Sequence, residues 1–261
     1  AAWRRGRPSA RNVWGNKVAV LLGDYLLCKG ISRLLKIGTP EMLERLVGVA
    51  RNMCCGQVAE LTETDLGLDQ ERYLEVVSGK TAALFAFCGR AGADCQGARP
   101  ETAALLEEFG RNFGLAFQIA DDIHDVAGSQ AASGKPVNHD LRQHKITLPI
   151  IYALRELPAA ESRALKESLS EDALSEDRLR EIRAQVRACG GVDYSWSLCR
   201  DYLRAACRCL ESLATVMPEL AESPNGAPQL ADRRKAYKAL LAASREAFPL
   251  PVLSAAAPRR G

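Results

Sequence analysis

The chain has 261 residues, and 35 Lys and Arg stand against 32 Asp and Glu, a net charge of +3. So even a balance excludes the strong basic excess of a dedicated nucleic-acid binder. With 47% hydrophobic and 26% charged residues, the chain has a globular rather than a disordered composition. Ala and Leu supply 74 residues while Val, Ile and Thr supply only 29. Side chains of the first kind favour helices and those of the second favour sheets, so the fold class read here is all-α, in a single domain.

In chain order, a first helix is expected from about Ala10 to Lys36, around the apolar string VAVLLGDYLL. Thr39-Pro40 reads as an N-cap followed by Pro in the first turn of a helix toward Glu60. Asp69 is the expected cap of a helix through Arg90, and Pro100 opens one that runs to about Val126. The Gly-, Ser-, Asn- and His-bearing stretch from Ala127 to Lys145 reads as a surface loop. Further helices are expected at Thr147–Glu156, Glu161–Ser168, Glu176–Ala188, Tyr194–Met217 and Ala231–Phe248. The Pro/Ala/Arg-rich residues 249–261 read as a frayed tail. No strand-like alternation is found, so the elements should form a helical bundle. No apolar run approaches the ~20 residues of a membrane span. The nine cysteines are odd in number and lack a C-x-x-C pair, which fits reduced thiols in a cytoplasmic protein better than a disulfide frame or a zinc site.

The segment FQIADDIHD carries the chemistry. At 100° per residue, Gln118, Asp121, Asp122 and Asp125 share one stripe of the helix, with Phe113, Ala116, Phe117, Ala120 and Ile123 opposite. His124 falls on the apolar side and is expected in the core. Like charges at (i, i+4) repel, so three carboxylates on one face imply a cation there. Hard oxygens suit Mg²⁺, which takes one or two carboxylates, waters and substrate phosphates. A solvated acidic face is the alternative, and the basic residues elsewhere weigh against it. Arg4, Arg5, Lys80, Lys135 and Lys145, with Thr81 and Gln118 as neutral donors, make a set able to hold a diphosphate. Neither a Walker A loop nor G-x-G-x-x-G is present, so nucleotide binding is not supported.

The blocks RRGRPSARNVWGNKVAVLLGDYLL, GKTAALFAFCGRAGA, FGLAFQIADDIHDV and GKPVNHDLRQHKITLPIIYAL, in this order, closely resemble the trans-isoprenyl diphosphate synthases, or polyprenyl synthetases, and the first block looks more like their long-chain branch. The resemblance covers about Trp3 to Arg245, and it makes residues 1–248 one polyprenyl synthetase domain. It implies helices around a deep central cavity, an isoprenoid-synthase fold, and a homodimer. The implied reaction is condensation of isopentenyl diphosphate with an allylic diphosphate. Asp121, Asp122 and Asp125 then match the second aspartate-rich motif, which holds Mg²⁺. Arg4 matches a contact to the allylic diphosphate and Arg5 one to isopentenyl diphosphate. Lys80, Thr81, Gln118, Lys135 and Lys145 match further allylic-side contacts, and Lys80, Lys135 and Asp121 are the residues expected to act on the leaving group. His144 departs from the pattern, which has Gly before the lysine. The first aspartate-rich motif is not in these residues, and the chain starts at Ala1. The expectation is therefore an N-terminally incomplete synthase that does not elongate alone. The alternative is a non-catalytic subunit or interaction protein of a hetero-oligomeric synthase. A terpene cyclase is disfavoured, because its second metal motif is missing.

Overall fold

The computed structural model describes residues 3–4, 7–62, 69–127, 139–171 and 173–217. The helix expected at Ala231–Phe248, the tail and the side chains of Arg4, Arg5 and Lys135 lie outside them. The described residues form ten helices: α1 (Ala10–Ile37), α2 (Pro40–Thr62), α3 (Gln70–Val77), α4 (Ala83–Cys95), α5 (Pro100–Ala127), α6 (His139–Arg142), α7 (Leu148–Glu156), α8 (Ala159–Leu169), α9 (Glu176–Ala188) and α10 (Gly191–Val216). A π turn, Ser78–Ala82, joins α3 to α4. The all-α reading holds, with one addition: Trp3–Arg4 and Arg7–Pro8 pair as a minimal antiparallel ribbon, β1 and β2. Two residues per strand are too few for any alternation to show in the sequence.

The starts are where the capping chemistry puts them. Ser9 accepts a hydrogen bond from the Asn12 amide and Asp69 from the Arg72 amide, while Thr39 caps through Met42. Each satisfies an amide the helix leaves unpaired. Two element boundaries differ from expectation. The helix expected from Asp69 to Arg90 is interrupted by the π turn, and the loop expected from Ala127 to Lys145 contains α6. Single-turn π insertions leave no propensity signal, because only the hydrogen-bond register changes.

Helix α5 is the spine. Its Ile119, Ile123 and Val126 are buried against Leu148 and Ile150 of α7, Leu179 of α9 and Leu203 of α10. Toward its start, Phe109 packs with Ala206, Leu210 and Leu213 of α10. On the opposite side α4 lies unusually close, because glycines stand at the crossing. A Cβ on Gly110 would sit 2.3 Å from the Phe85 carbonyl oxygen. Phe117, expected inside, is 45% exposed beside Phe85, and His124 is exposed with its ring edge against Trp196 at 5.5 Å. Both lie at the margin of the apolar stripe, where a helical wheel does not say which side a neighbouring helix covers. Helix α1 packs on α2 and contains no buried residue, so Trp14, Leu21, Tyr25 and Ile37 are all more than half exposed. Among the described residues no helix is long and apolar enough to cross a membrane.

The close α4–α5 crossing makes a direct prediction. Gly110→Ala drives a methyl into backbone and should cost about 1–3 kcal/mol, as overpacking does. Gly92→Ala, on the exposed side of α4 with nothing within 4 Å, should instead stabilise by up to about 1 kcal/mol. Urea denaturation of the two variants checks both signs.

Candidate active site

Helix α2 approaches the π turn at Gly56, where a Cβ would meet the Lys80 amide nitrogen at 3.0 Å. That approach sets Glu60, one turn further along α2, against the Lys80 ammonium, and the two form an ion pair. The π turn also aims Thr81 toward α5, where its hydroxyl donates to Gln118 Oε1 at 2.9 Å. Gln118 in turn donates to Asp122 Oδ1 at 2.9 Å. Asp122 is buried, and its other oxygen accepts the Tyr73 hydroxyl at 2.7 Å. Lys145, delivered by the turn after α6, completes the set: it lies 3.0 Å from Asp122, 3.4 Å from Asp140 and 3.4 Å from Glu60.

The structure therefore brings together Lys80, Thr81, Gln118, Asp122 and Lys145 from three distant stretches of sequence. It adds three residues that motif reading passed over as site members: Glu60, Tyr73 and Asp140. Tyr73 stands two helical turns before Lys80, and that spacing was the available signal. Asp140 is fixed to the end of α5 as well, its amide donating to Asp125 Oδ2 at 3.0 Å. The end of α5 is tied down by α9, whose Arg183 donates to the Val126 carbonyl at 2.7 Å and whose Arg187 bonds that of Ala127.

The carboxylate stripe does not stay together. Asp121 is exposed and Asp125 half-buried, whereas Asp122 turns inward and spends both oxygens on Tyr73, Gln118 and Lys145. Among the described residues, no group of three or more His, Cys, Asp or Glu side chains is arranged to hold a metal ion. Forty degrees of helical rotation separate Asp122 from Gln118 on the wheel. Burial by α3 and the α6–α7 turn, not angle, decides its side.

The electrostatics follow from this burial. Burial opposes the charge of Lys145, but Asp122, Asp140 and Glu60 outweigh it and hold the ammonium well above the usual lysine range. Burial pushes the Asp122 carboxyl upward, against the pull of Lys145 and Tyr73. One cation gains from three anions while each anion shares that cation, so the ammonium is the more strongly held charge. Burial raises Asp140 too, with Asp125 and Asp121 adding to the rise. Burial would also raise Glu60, but the Lys80 hydrogen bond and the charge of Lys145 leave it below the ordinary carboxylate range. Tyr73, fully buried against Asp122, is raised well above the phenol range. It therefore stays a neutral donor.

The chain's first 186 residues match the family model described as Polyprenyl synthetase. The chain belongs to the polyprenyl synthetase family. A curated member of the family, the short chain isoprenyl diphosphate synthase of Methanothermobacter thermautotrophicus, is 34% identical over 216 residues, covering 80% of this chain and 66% of that protein. The nonaprenyl diphosphate synthase of Mycobacterium tuberculosis is 40% identical over 185 residues, 69% of this chain and 55% of its own. The chain thus spans between about half and two thirds of the length of these relatives. A crystal structure of a polyprenyl synthase from Caulobacter crescentus, complexed with calcium and isoprenyl diphosphate, superposes with a TM-score of 0.76 at 32% identity, covering 81% of this chain and 65% of that one. The decaprenyl diphosphate synthase of Rhodobacter capsulatus gives 0.75 at 29% identity, over 94% and 73%. These relatives confirm the all-α isoprenoid-synthase fold.

The charge network makes a pH prediction. Lys145 has a folded-state pKa above its unfolded value of about 10.5. Its stabilising contribution is therefore complete below about 10.5 and is lost as pH rises from there through the folded-state value. Denaturation free energies of the wild type should fall as pH rises above about 10.5, and Lys145→Met should flatten that part of the profile. An equal alkaline slope in the variant would move the effect to another group.

Proposed function

We propose that this chain carries the diphosphate-binding side of a polyprenyl diphosphate synthase, which condenses isopentenyl diphosphate with an allylic diphosphate. The observation that supports this most is the meeting of Lys80, Thr81, Gln118 and Lys145 beside the Asp121/Asp125 edge of α5. Arg4, Arg5 and Lys135 belong to the same proposal by their match to the family motifs, with Arg5 assigned to isopentenyl diphosphate.

Five carboxylates (Glu60, Asp121, Asp122, Asp125 and Asp140) face two lysines (Lys80 and Lys145) and Arg183, which acts on Asp125, in this region. A region of that sign draws in divalent cations before it tolerates a diphosphate. Asp121 and Asp125 supply hard oxygens one helical turn apart and fit Mg²⁺, which needs only one or two carboxylates beside water and phosphate oxygens. Asp122, expected as a third ligand, is assigned here as the counter-ion of Lys145. Mg²⁺, when bound, supplies charge neutralisation of the leaving diphosphate.

In the proposed step the allylic C–O bond breaks and its electron pair leaves on the diphosphate. Lys80, Lys135 and Lys145 stabilise that developing charge, which is greater in the transition state than in the bound substrate. The double bond of isopentenyl diphosphate then attacks the allylic carbon to form the new C–C bond, and the departed diphosphate accepts the proton lost from the adjacent carbon. The apolar sides of α4 and α5 keep water from the cation. A long-chain product is part of the proposal, supported by the 40% identity to a nonaprenyl synthase. A homodimer is also proposed, supported by the uncovered apolar side chains of α1, and a cytoplasmic setting is supported by nine cysteines outside any disulfide.

Isothermal calorimetry with inorganic pyrophosphate tests the reading. Binding should require Mg²⁺, and Asp121→Ala or Lys145→Gln should weaken it about tenfold or more, at least 1.4 kcal/mol. Metal-independent binding, or full affinity in both variants, would overturn it. Chain elongation is assayed alongside with radiolabelled isopentenyl diphosphate and farnesyl diphosphate.

A further inference from the structure

His144 has φ 55°, and among the described residues it is the non-glycine with a positive φ. Its position explains the demand. The one-turn helix α6 ends with the Lys145 amide donating to the Asp140 carbonyl at 3.0 Å and the His144 amide to that of Leu141 at 3.1 Å. This pair of bonds is a Schellman closure, and it requires a left-handed residue where His144 stands. Glycine takes that conformation without cost, while a residue bearing a Cβ does not. Such closures are usually sealed by an apolar contact across the turn. Here the corresponding pair, Asp140 and Lys145, is joined by charge at 3.4 Å.

The imidazole is itself tethered. Nδ1 lies 3.0 Å from the Leu169 carbonyl oxygen, on the last residue of α8. A carbonyl only accepts, so Nδ1 carries the hydrogen, and the bond satisfies one of the carbonyls that α8 leaves without an intrahelical partner. His144 therefore links the end of α8 to the turn that presents Lys145. It also lines the cleft shared by Glu60, Tyr73 and Lys145.

We propose that His144 is a positioning residue: its ring, bound to Leu169, holds the left-handed turn that delivers the Lys145 ammonium to Asp122, Asp140 and Glu60. The geometry stands alone, and its consequence for ligand binding rests on the reading of Lys145 as a diphosphate-side cation. A glycine at 144 would keep the turn but release it from α8. Lys145 would then sample positions away from its carboxylates.

The test labels the whole chain with limiting acetic anhydride and reads each lysine by mass spectrometry, with exposed Lys29 of α1 as internal reference. His144→Gly should raise the relative labelling of Lys145 about fivefold, the factor one ordinary hydrogen bond is worth, without change in the circular dichroism spectrum. His144→Asn, which tolerates φ > 0 and keeps a donor, should fall between the two. Should the glycine variant fold poorly, the asparagine variant carries the test. Lys145 labelling unchanged from wild type in a folded variant overturns the proposal. Pyrophosphate affinity measured with Mg²⁺ on the same proteins separates the two readings. Raised labelling with weakened binding supports both. Raised labelling in a protein whose wild type binds no pyrophosphate supports the positioning role and overturns the diphosphate reading.

Discussion

One buried cation organises this protein's candidate site. Lys145 is 17% exposed and faces Asp122, Asp140 and Glu60, carboxylates from α5, α6 and α2. Taking an ammonium out of water costs several kcal/mol, and the opposite charges return that only if geometry and hydrogen bonding are complete. They are complete here: Tyr73 and Gln118 satisfy the remaining capacity of Asp122, and Gln57 and Lys80 that of Glu60. Removing Lys145 takes from three carboxylates the cation they share, and Asp122 among them is fully buried. The network is therefore a constraint on where four elements sit relative to one another.

That constraint accounts for otherwise unrelated features. Gly56 is needed because α2 must come within backbone distance of the π turn for Glu60 to reach Lys80. The π turn is needed because an uninterrupted helix over Ser78–Ala82 would rotate Lys80 and Thr81 by a residue's angle, away from Glu60 and Gln118. The left-handed residue at 144 is needed because Lys145 must turn back over Asp140. The π turn and the left-handed residue are local departures from regular structure, and Gly56 is the close helix approach made to the first of them. The regular parts of α5, α7, α9 and α10 supply an ordinary apolar core beneath it.

The same network divides the aspartate motif by function. Asp122 belongs to the interior and to Lys145, while Asp121 and Asp125 remain on the outer edge of α5, beside Asp140. Arg183 and Arg187 hold the helix end that presents them. An acidic edge backed by a cation-filled interior presents carboxylate oxygens outward without the repulsion that three adjacent exposed aspartates would bring.

The sequence by itself determined the helical class, most helix starts and the list of residue types for the site. Composition and capping are local, and Thr39, Asp69 and Pro100 act on their own helices whatever surrounds them. The ordered motif blocks gave the family for the same reason, since they are contiguous. Only the tertiary structure decided which aspartate is buried, because the wheel places all three on one polar stripe and α3 with the α6–α7 turn covers Asp122, about 100° round from Asp121. It alone decided that Glu60 joins the site, since no spacing links α2 to Lys145, and that Tyr73 reaches Asp122. It also showed that a histidine takes the left-handed position usually left to glycine, where its bond to Leu169, 25 residues away, sustains a conformation that the local chain disfavours.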